Sequence, residues 1–175
     1  MEQRKGIVTK DGKPVTLIGP EIKVGQKAPD FKLVDTNWHE VDLSGSKGRV
    51  RLLSVVYSLD TPVCDLQTQR FEEEAGKFRD AVFYTISMDL PFAQARYFEN
   101  YKVKNMTPLS DYKYASFGKA YGVFIKELHL LSRAIFIIDD TDIVRYVEYV
   151  GEVGNLPDYN KAIAALKNLV PIKVG

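Results

Sequence analysis

The sequence predicts an α/β domain with a mixed central β-sheet flanked by helices. Two apolar, β-branched runs, 50–57 and 81–87, enclose a run with helical spacing at 63–78, and this order indicates two parallel strands joined by a helix. The most apolar run, 134–138, is followed by a turn and an alternating run at 143–150, which indicates an antiparallel hairpin. Parallel and antiparallel strands are therefore expected in one sheet.

The first 19 residues are expected to form an N-terminal β-hairpin extension. An Asp-Gly pair at 11–12 separates two short β-prone runs, 7–10 and 15–18, and this dipeptide is a strong hairpin turn signal. Two further runs are predicted as a short antiparallel pair: 31–35 and 39–43.

The rest of the chain is predicted to contain a connector at 44–48, an extended segment at 106–110, and three more helices at 92–101, 114–121 and 157–169. Tyr159, Ile163 and Leu166 fall on the inward face of the last helix. No repeat or linker divides the chain, so residues 1–175 are expected to form a single domain.

Composition excludes several classes of function. The chain has 175 residues, a formal net charge of +1, 45% hydrophobic and 27% charged residues, so neither a nucleic-acid partner nor an acidic tail is indicated. No apolar run reaches the length of a signal-peptide core or a membrane span. A single cysteine forms no internal disulfide, so no oxidising compartment is implied. We expect a cytoplasmic protein without a membrane partner.

The one cysteine, Cys64, is predicted to lie in the first turn of a helix. Thr61 is a good N-cap, and Pro62 then occupies the first helical position. Unpaired backbone N–H groups and the positive end of the helix dipole favour a thiolate there, which makes the cysteine a nucleophile. Asp65 opposes this effect by like-charge repulsion, so a nearby cation is needed.

A purely structural role is the alternative for Cys64. Cys64, Phe71, Ala75 and Phe78 fall on one helical stripe, and free cysteine is among the residues most often buried. Position in the helix alone leaves both roles open. The carboxyl end of the preceding parallel strand, where ligand crevices lie in such sheets, favours a functional one.

Several sequence motifs point to a known family. The chain resembles the thiol peroxidase subfamily of the peroxiredoxins along its whole length, although the upstream proline of the wider peroxiredoxin signature is absent. The resemblance implies a thioredoxin-like fold. The matching motifs are Ser58-x-Asp60-Thr61-x-x-Cys64, the Asp-Leu-Pro-Phe-Ala-Gln run at 89–94 with Arg96, the run 120–123, and Arg133-Ala134.

The resemblance implies a thiol-dependent peroxidase without a cofactor, acting on hydrogen peroxide and alkyl hydroperoxides. Cys64 would attack the O–O bond and become a sulfenic acid. Thr61 would supply a hydroxyl, Arg133 would stabilise the thiolate and orient the peroxide, and Pro62 would shield the sulfur. Without the resemblance, Thr61 is simply an N-cap and Arg133 a surface charge at a strand end.

The resemblance also implies partners. Thioredoxin or another thiol would return Cys64 to its reduced state. A homodimer is expected, with residues 114–121 and the loop around Cys64 near its interface.

One position departs from the family. Typical members of the subfamily carry a second, resolving cysteine where this chain has Phe98, and phenylalanine forms no disulfide. Three explanations are open: reduction of Cys64 by an external thiol, a mixed disulfide with a partner protein, or a variant whose cycle is broken.

Two other classes of function remain as alternatives. A Cys-His acyl-transfer hydrolase needs a histidine beside the cysteine, and the chain has only His39 and His129, both predicted in hairpins or turns. A non-catalytic peroxide sensor or binding module stays open as an alternative because the resolving cysteine is missing. No metal site is indicated, because one cysteine and two scattered histidines lack ligand spacing.

Overall fold

The computed structural model describes residues 1–172, so the last three residues of the predicted 1–175 domain lie outside the described part. In chain order its helices and strands are β1 (Gln3–Lys10), β2 (Lys13–Ile18), β3 (Leu33–Val34), β4 (Glu40–Val41), β5 (Val50–Val55), α1 (Pro62–Lys77), β6 (Ala81–Ser87), α2 (Pro91–Asn100), β7 (Thr107–Ser110), α3 (Ser116–Ala120), β8 (Phe124–Ile125), β9 (Leu130–Leu131), β10 (Ala134–Ile138), β11 (Val144–Tyr149) and α4 (Tyr159–Lys167). Helices and strands alternate from β5 to β8, and strands follow one another before and after that part.

A seven-stranded mixed sheet forms the centre, as predicted. Its strand order is β11-β10-β5-β6-β7-β3-β4. Strands β5, β6 and β7 run parallel, whereas β10 is antiparallel to β5 and β11 to β10. Because Ala134 pairs with Val55, the start of β10 lies beside the carboxyl end of β5, and the chain entering β10 meets the loop that leads into α1.

Helices cover both faces of this sheet. One hydrophobic cluster joins β5 to side chains of α1, α2 and α4, among them Phe71, Phe98 and Leu166. The cluster on the other face contains Phe117 of α3 and the nearby Tyr121. All six residues of β5 are buried, which agrees with a strand covered on both faces.

The N-terminal hairpin is confirmed and belongs to a second sheet. Strands β1 and β2 pair with β8 and β9 in the order β1-β2-β8-β9. Strand β1 begins at Gln3, earlier than the predicted run at 7–10. The register of the hairpin shifts between Lys5 and Val8, where Gly6 has a φ of 81°. Strands β8 and β9 were not predicted, because two residues are too few to show an alternation of apolar and polar side chains.

Two helices begin later than their sequence patterns indicate. Helix α3 begins at Ser116 because Ala115 has a left-handed backbone conformation, with a φ of 51°, which a helix does not continue through. Helix α4 begins at Tyr159 because the side chain of Asp158 accepts a hydrogen bond from the backbone N–H of Lys161 at 3.0 Å. Within residues 1–172, no helix combines the length and apolarity that a membrane crossing requires.

Candidate active site

Cys64 lies in the first turn of α1 and is fully buried, as part of the same hydrophobic cluster as Leu59, Phe71 and Phe98. Its sulfur accepts a hydrogen bond from the backbone N–H of Ser58 at 3.5 Å. The predicted apolar stripe and the predicted position at a helix N-terminus are thus both present. The thiol is held in an apolar environment with polar backbone on one side.

Thr61 occupies the N-cap position, but its predicted side-chain cap is wrong. Its hydroxyl makes no cap hydrogen bond and instead donates to the carbonyl oxygen of Ser58 at 2.8 Å. The hydroxyl therefore closes the turn that carries Ser58 over the Cys64 sulfur, and its lone pairs remain available as acceptors. Pro62 is exposed at the first helical position, as predicted.

Arg133 is buried, with only 1% of its surface exposed, so its interpretation as a surface charge is wrong. The Nε and Nη2 groups donate to the carbonyl oxygen of Val153 at 3.0 and 2.8 Å, and Nη1 donates to Oε1 of Gln67 at 2.8 Å. Gln67, also fully buried, donates in turn to Ser54 Oγ at 2.8 Å. Sequence reasoning did not single out Gln67, because a glutamine on a helix has no pattern of its own.

Asp89 connects the motif that contains Cys64 with the motif at 89–94. Its carboxylate accepts hydrogen bonds from Ser58 Oγ, from the backbone N–H of Leu59 and from Ser87 Oγ, each at 2.8 Å. Ser58 Oγ also accepts from the N–H of Asp60 at 3.1 Å. The loop in front of Cys64 is thereby fastened to the loop in front of α2.

Asp65 is engaged by α2 rather than left beside the thiol. The hydroxyl of Tyr97 donates a hydrogen bond to its carboxylate. Burial raises the pKa of Tyr97, and this hydrogen bond raises it further, so Tyr97 remains a donor at neutral pH. Phe98, the next residue, is buried with 7% exposure.

Tyr159 is the other residue near the site that the sequence indicated only as core. The residue is half-buried, and its hydroxyl is buried without a hydrogen-bond partner among residues 1–172. Burial raises the pKa of this phenol. The charges of Arg133 and Arg70 lower it, and Cys64 raises it, so all three groups lie within electrostatic range of the hydroxyl.

A cleft of about 330 Å³ lies beside the Cys64 loop, between that loop and α2. Ser58, whose N–H bonds the sulfur, forms part of its wall. A larger hollow of about 490 Å³ lies at the other end of α1, around Arg49 and Arg79, and contains none of the predicted site residues. The cleft is lined by Ser58, Leu59, Asp60, Asp89, Ala93, Arg96, Tyr97, Asn100 and Tyr101.

Neither histidine completes a Cys-His pair. His39 is exposed, with its Nδ1 3.7 Å from the carboxylate of Asp35, and His129 is exposed and packs against the ring of Phe124. The buried Cys64 therefore has no imidazole base. In the part of the chain that the structure describes, no three His, Cys, Asp or Glu side chains are grouped as a metal site.

Comparison with known proteins gives a consistent result. The family model described as Redoxin matches residues 23–163. The thiol peroxidase of Bacillus subtilis is 50% identical over 163 residues, covering 93% of this chain and 98% of the relative. The thiol peroxidase of Halalkalibacterium halodurans is 52% identical over 160 residues, covering 91% and 96%. A crystal structure of a peroxiredoxin-like protein from Aquifex aeolicus superimposes with a TM-score of 0.87 at 39% identity, covering 93% and 96%.

Proposed function

The chain belongs to the Redoxin family, in the thiol peroxidase subfamily of the peroxiredoxins, and from that premise we propose that its thiol-dependent reduction of peroxides proceeds through Cys64. The thioredoxin-like fold that the sequence predicted agrees with its structural relative. One observation supports the assignment of the site most strongly. Cys64 lies in the first turn of α1, at the edge of the sheet where the buried Arg133 directly precedes β10.

The first step is nucleophilic attack by the Cys64 thiolate on one peroxide oxygen. The S–O bond forms, the O–O bond breaks, and Cys64 becomes a sulfenic acid. The other oxygen leaves with the electron pair and takes a proton to become water or an alcohol. Negative charge moves from sulfur to the leaving oxygen, so a fixed cation and hydrogen-bond donors at that edge lower the barrier. Arg133 supplies the cation.

Thr61 is expected to orient the peroxide as a hydrogen-bond acceptor. Its single hydroxyl proton is used on the carbonyl of Ser58, so the oxygen accepts rather than donates. A peroxide O–H donating to Thr61 presents its oxygen to the sulfur. Pro62, at the first helical position, is proposed to limit the access of water.

Recycling is proposed to use an external thiol such as thioredoxin. Cys64 is the only cysteine, and the position of the resolving cysteine is filled by the buried Phe98. One thiol attacks the sulfenic sulfur, which releases water and leaves a mixed disulfide. A second thiol then releases Cys64 and carries away a disulfide. The cleft beside Ser58 gives such a thiol a route toward the loop that covers the sulfur.

The test is peroxide consumption by the purified protein with dithiothreitol and, separately, with a thioredoxin system, beside Cys64→Ser. Sustained turnover that Cys64→Ser abolishes is the expected result, and the reductant that sustains it identifies the class of thiol. Consumption of one equivalent and no more would favour the sensor. Consumption that survives in Cys64→Ser would overturn the assignment of the site.

The finer features of the protein are also proposals. A cytoplasmic location fits a reaction that consumes reduced thiols. A homodimer is proposed through the face that carries Tyr114 and an aromatic cluster formed by the exposed Trp38 and Phe92 and the half-buried Tyr112. The centroid of the Trp38 ring lies 5.0 Å from that of Phe92 and 6.1 Å from that of Tyr112. Sedimentation of the wild type and Phe92→Glu tests this: a dimer converted to a monomer is expected, and a wild-type monomer contradicts it.

A further inference from the structure

Tyr159 lies at the same edge of the sheet as Cys64 and Arg133. Ala134 pairs with Val55 on one side and with Tyr149 on the other, so β5 and β11 end where β10 begins. Helix α1 follows β5, and α4 follows β11. The backbone N–H of Asp158 bonds Oε1 of Glu148 at 2.9 Å, which fixes the start of α4 to β11.

The ring of Tyr159 is held by α1. It packs edge-on against Phe71, with 5.4 Å between ring centroids, and the guanidinium of Arg70 lies 5.9 Å from its centroid. Phe71 is on the same stripe of α1 as Cys64, and Tyr159 packs against the cluster that contains both. Arg70 itself forms an ion pair with Glu74 at 3.0 Å. The aromatic ring therefore has a defined position against α1, on the stripe of the helix that also carries Cys64.

The hydroxyl of Tyr159 is the feature that packing does not explain. It is buried, and no group among residues 1–172 forms a hydrogen bond with it. Most buried hydroxyls in proteins are bonded, because an unpaired one is unfavourable. Burial raises the pKa of this phenol while Arg133 and Arg70 oppose the rise, and the raised pKa keeps the proton on the oxygen at neutral pH. The site thus contains a proton donor that has no acceptor in the described part of the chain.

Only part of the Arg133 guanidinium is free to bind the leaving oxygen. Three of its N–H groups are used on Val153 and Gln67, out of five in a guanidinium. We propose that the Tyr159 hydroxyl donates a hydrogen bond to the peroxide oxygen that leaves when Cys64 attacks. The electron pair of the broken O–O bond stays on that oxygen, which then takes a proton from solvent, and Tyr159 keeps its own. This role rests on the proposed function of Cys64.

The test is Tyr159→Phe, which removes only the hydroxyl. Formation of the Cys64 sulfenic acid in a single turnover, trapped with dimedone and measured by mass spectrometry, is expected to slow about 10- to 100-fold. Alkylation of Cys64 by iodoacetamide at pH 7 is expected to stay unchanged, because that reaction expels iodide and leaves no oxyanion to bind. The melting temperature is expected to stay the same or rise slightly, since no protein hydrogen bond is lost and an unpaired buried hydroxyl is removed.

Tyr146→Phe is the matched control. Tyr146 is a half-buried tyrosine of β11 that packs against the same cluster, and its hydroxyl interacts with Glu148, so its removal should leave peroxide reactivity unchanged. Equal peroxide rates in wild type and Tyr159→Phe overturn the inference. A joint fall of the peroxide and alkylation rates also overturns it, because Tyr159 would then act on the thiolate. A wild type that forms no sulfenic acid on Cys64 overturns the proposed function itself.

Discussion

Two arginines of this protein are equally buried but differently compensated. Arg51 lies in β5 opposite Ile138, at the end of β10, whereas Arg133 precedes the start of β10. They therefore occupy opposite edges of the same sheet, and their exposed fractions are 0% and 1%. Burial does not distinguish them.

Their partners do. Arg51 forms an ion pair with the carboxylate of Asp142 and donates to the carbonyl oxygens of Arg49 and Asp139 at 2.6 and 2.8 Å. Arg133 bonds only neutral acceptors in the described part of the chain, on Val153 and Gln67. A buried cation without a carboxylate is unfavourable, and an anion that arrives beside it relieves that cost. Arg51 is therefore assigned to stability and Arg133 to reactivity.

The largest expected effect is a loss of peroxide reactivity when Arg133, the buried cation without a carboxylate partner, is replaced. In Arg133→Gln, single-turnover oxidation of Cys64 by peroxide should fall roughly 100- to 1,000-fold, because the leaving oxygen loses its cation. Urea unfolding should show a much smaller change than in the corresponding Arg51 variant, since no buried carboxylate is left unpaired. Arg133→Lys retains the charge without the planar donors, and an intermediate rate is expected. A wild-type rate in Arg133→Gln would remove Arg133 from the mechanism.

The second prediction concerns the compensated arginine. Arg51→Met leaves the carboxylate of Asp142 without its partner and should lower the free energy of unfolding by about 3 kcal/mol, the low end of the range for a broken buried pair. The low end applies because the Asp142 side chain is 29% exposed. Urea titration followed by circular dichroism measures the change. The rate of Cys64 oxidation per folded molecule should match wild type, and a parallel loss of that rate would contradict the division of roles.

The third prediction concerns a variant that gives Arg133 a carboxylate partner, as Arg51 has in wild type. Gln67→Glu places a carboxylate where the amide oxygen now accepts from Nη1, which neutralises the cation before peroxide arrives. Single-turnover oxidation should slow about 10- to 100-fold. Little change in unfolding is expected, because the side chain keeps its size and the Ser54 hydroxyl, which accepts from the amide of Gln67 in wild type, can donate to the carboxylate instead.

Gln69→Glu is its control, since it makes the same charge change on α1 at a side chain that bonds the Tyr97 hydroxyl instead. Only Gln67→Glu should lose activity. Equal loss in both variants would mean that any negative charge on α1 slows the reaction.

The smallest expected effect is a pH dependence at the Arg51 edge. Although burial raises the pKa of Asp139, the N–H of Ile143 and the guanidinium of Arg145, whose Nε lies 2.6 Å away, lower it to about 2. A depressed pKa stabilises the folded state above the ordinary value of 3.8, and that stabilisation is lost as pH falls toward 2. Wild type should exceed Asp139→Asn by about 2 kcal/mol in unfolding free energy at pH 7.

This difference should close between pH 4 and pH 2. Urea titrations across that range measure it, and Arg133→Gln should lose stability over the same interval as wild type, because Arg133 donates to Val153 and Gln67 and not to Asp139. A gap between wild type and Asp139→Asn that persists at pH 2 would show that the carboxylate charge is not its source.

Most of the regular structure could be predicted because its signals are local. The runs 81–87 and 134–138 coincide with β6 and β10, since a strand buried on both faces reads as an uninterrupted apolar segment. The start of α1 was predicted from Thr61 and Pro62, although the role of the Thr61 hydroxyl was not. A hydroxyl chooses between its own helix and a preceding carbonyl according to the path of the loop, which local sequence does not specify.

The candidate site also has one part that the local sequence predicts and another that only the tertiary structure determines. Cys64 in a first helical turn, and the absence of a second thiol at Phe98, are properties of the sequence itself, because helix start signals and residue identity are local. The burial of Arg133 and the convergence of its guanidinium with Gln67 and Tyr159 were decided by tertiary structure alone. They depend on the pairing of β10 with β5 and β11. That register brings together residues far apart in the chain, and it is set by how whole faces of the sheet bury their side chains.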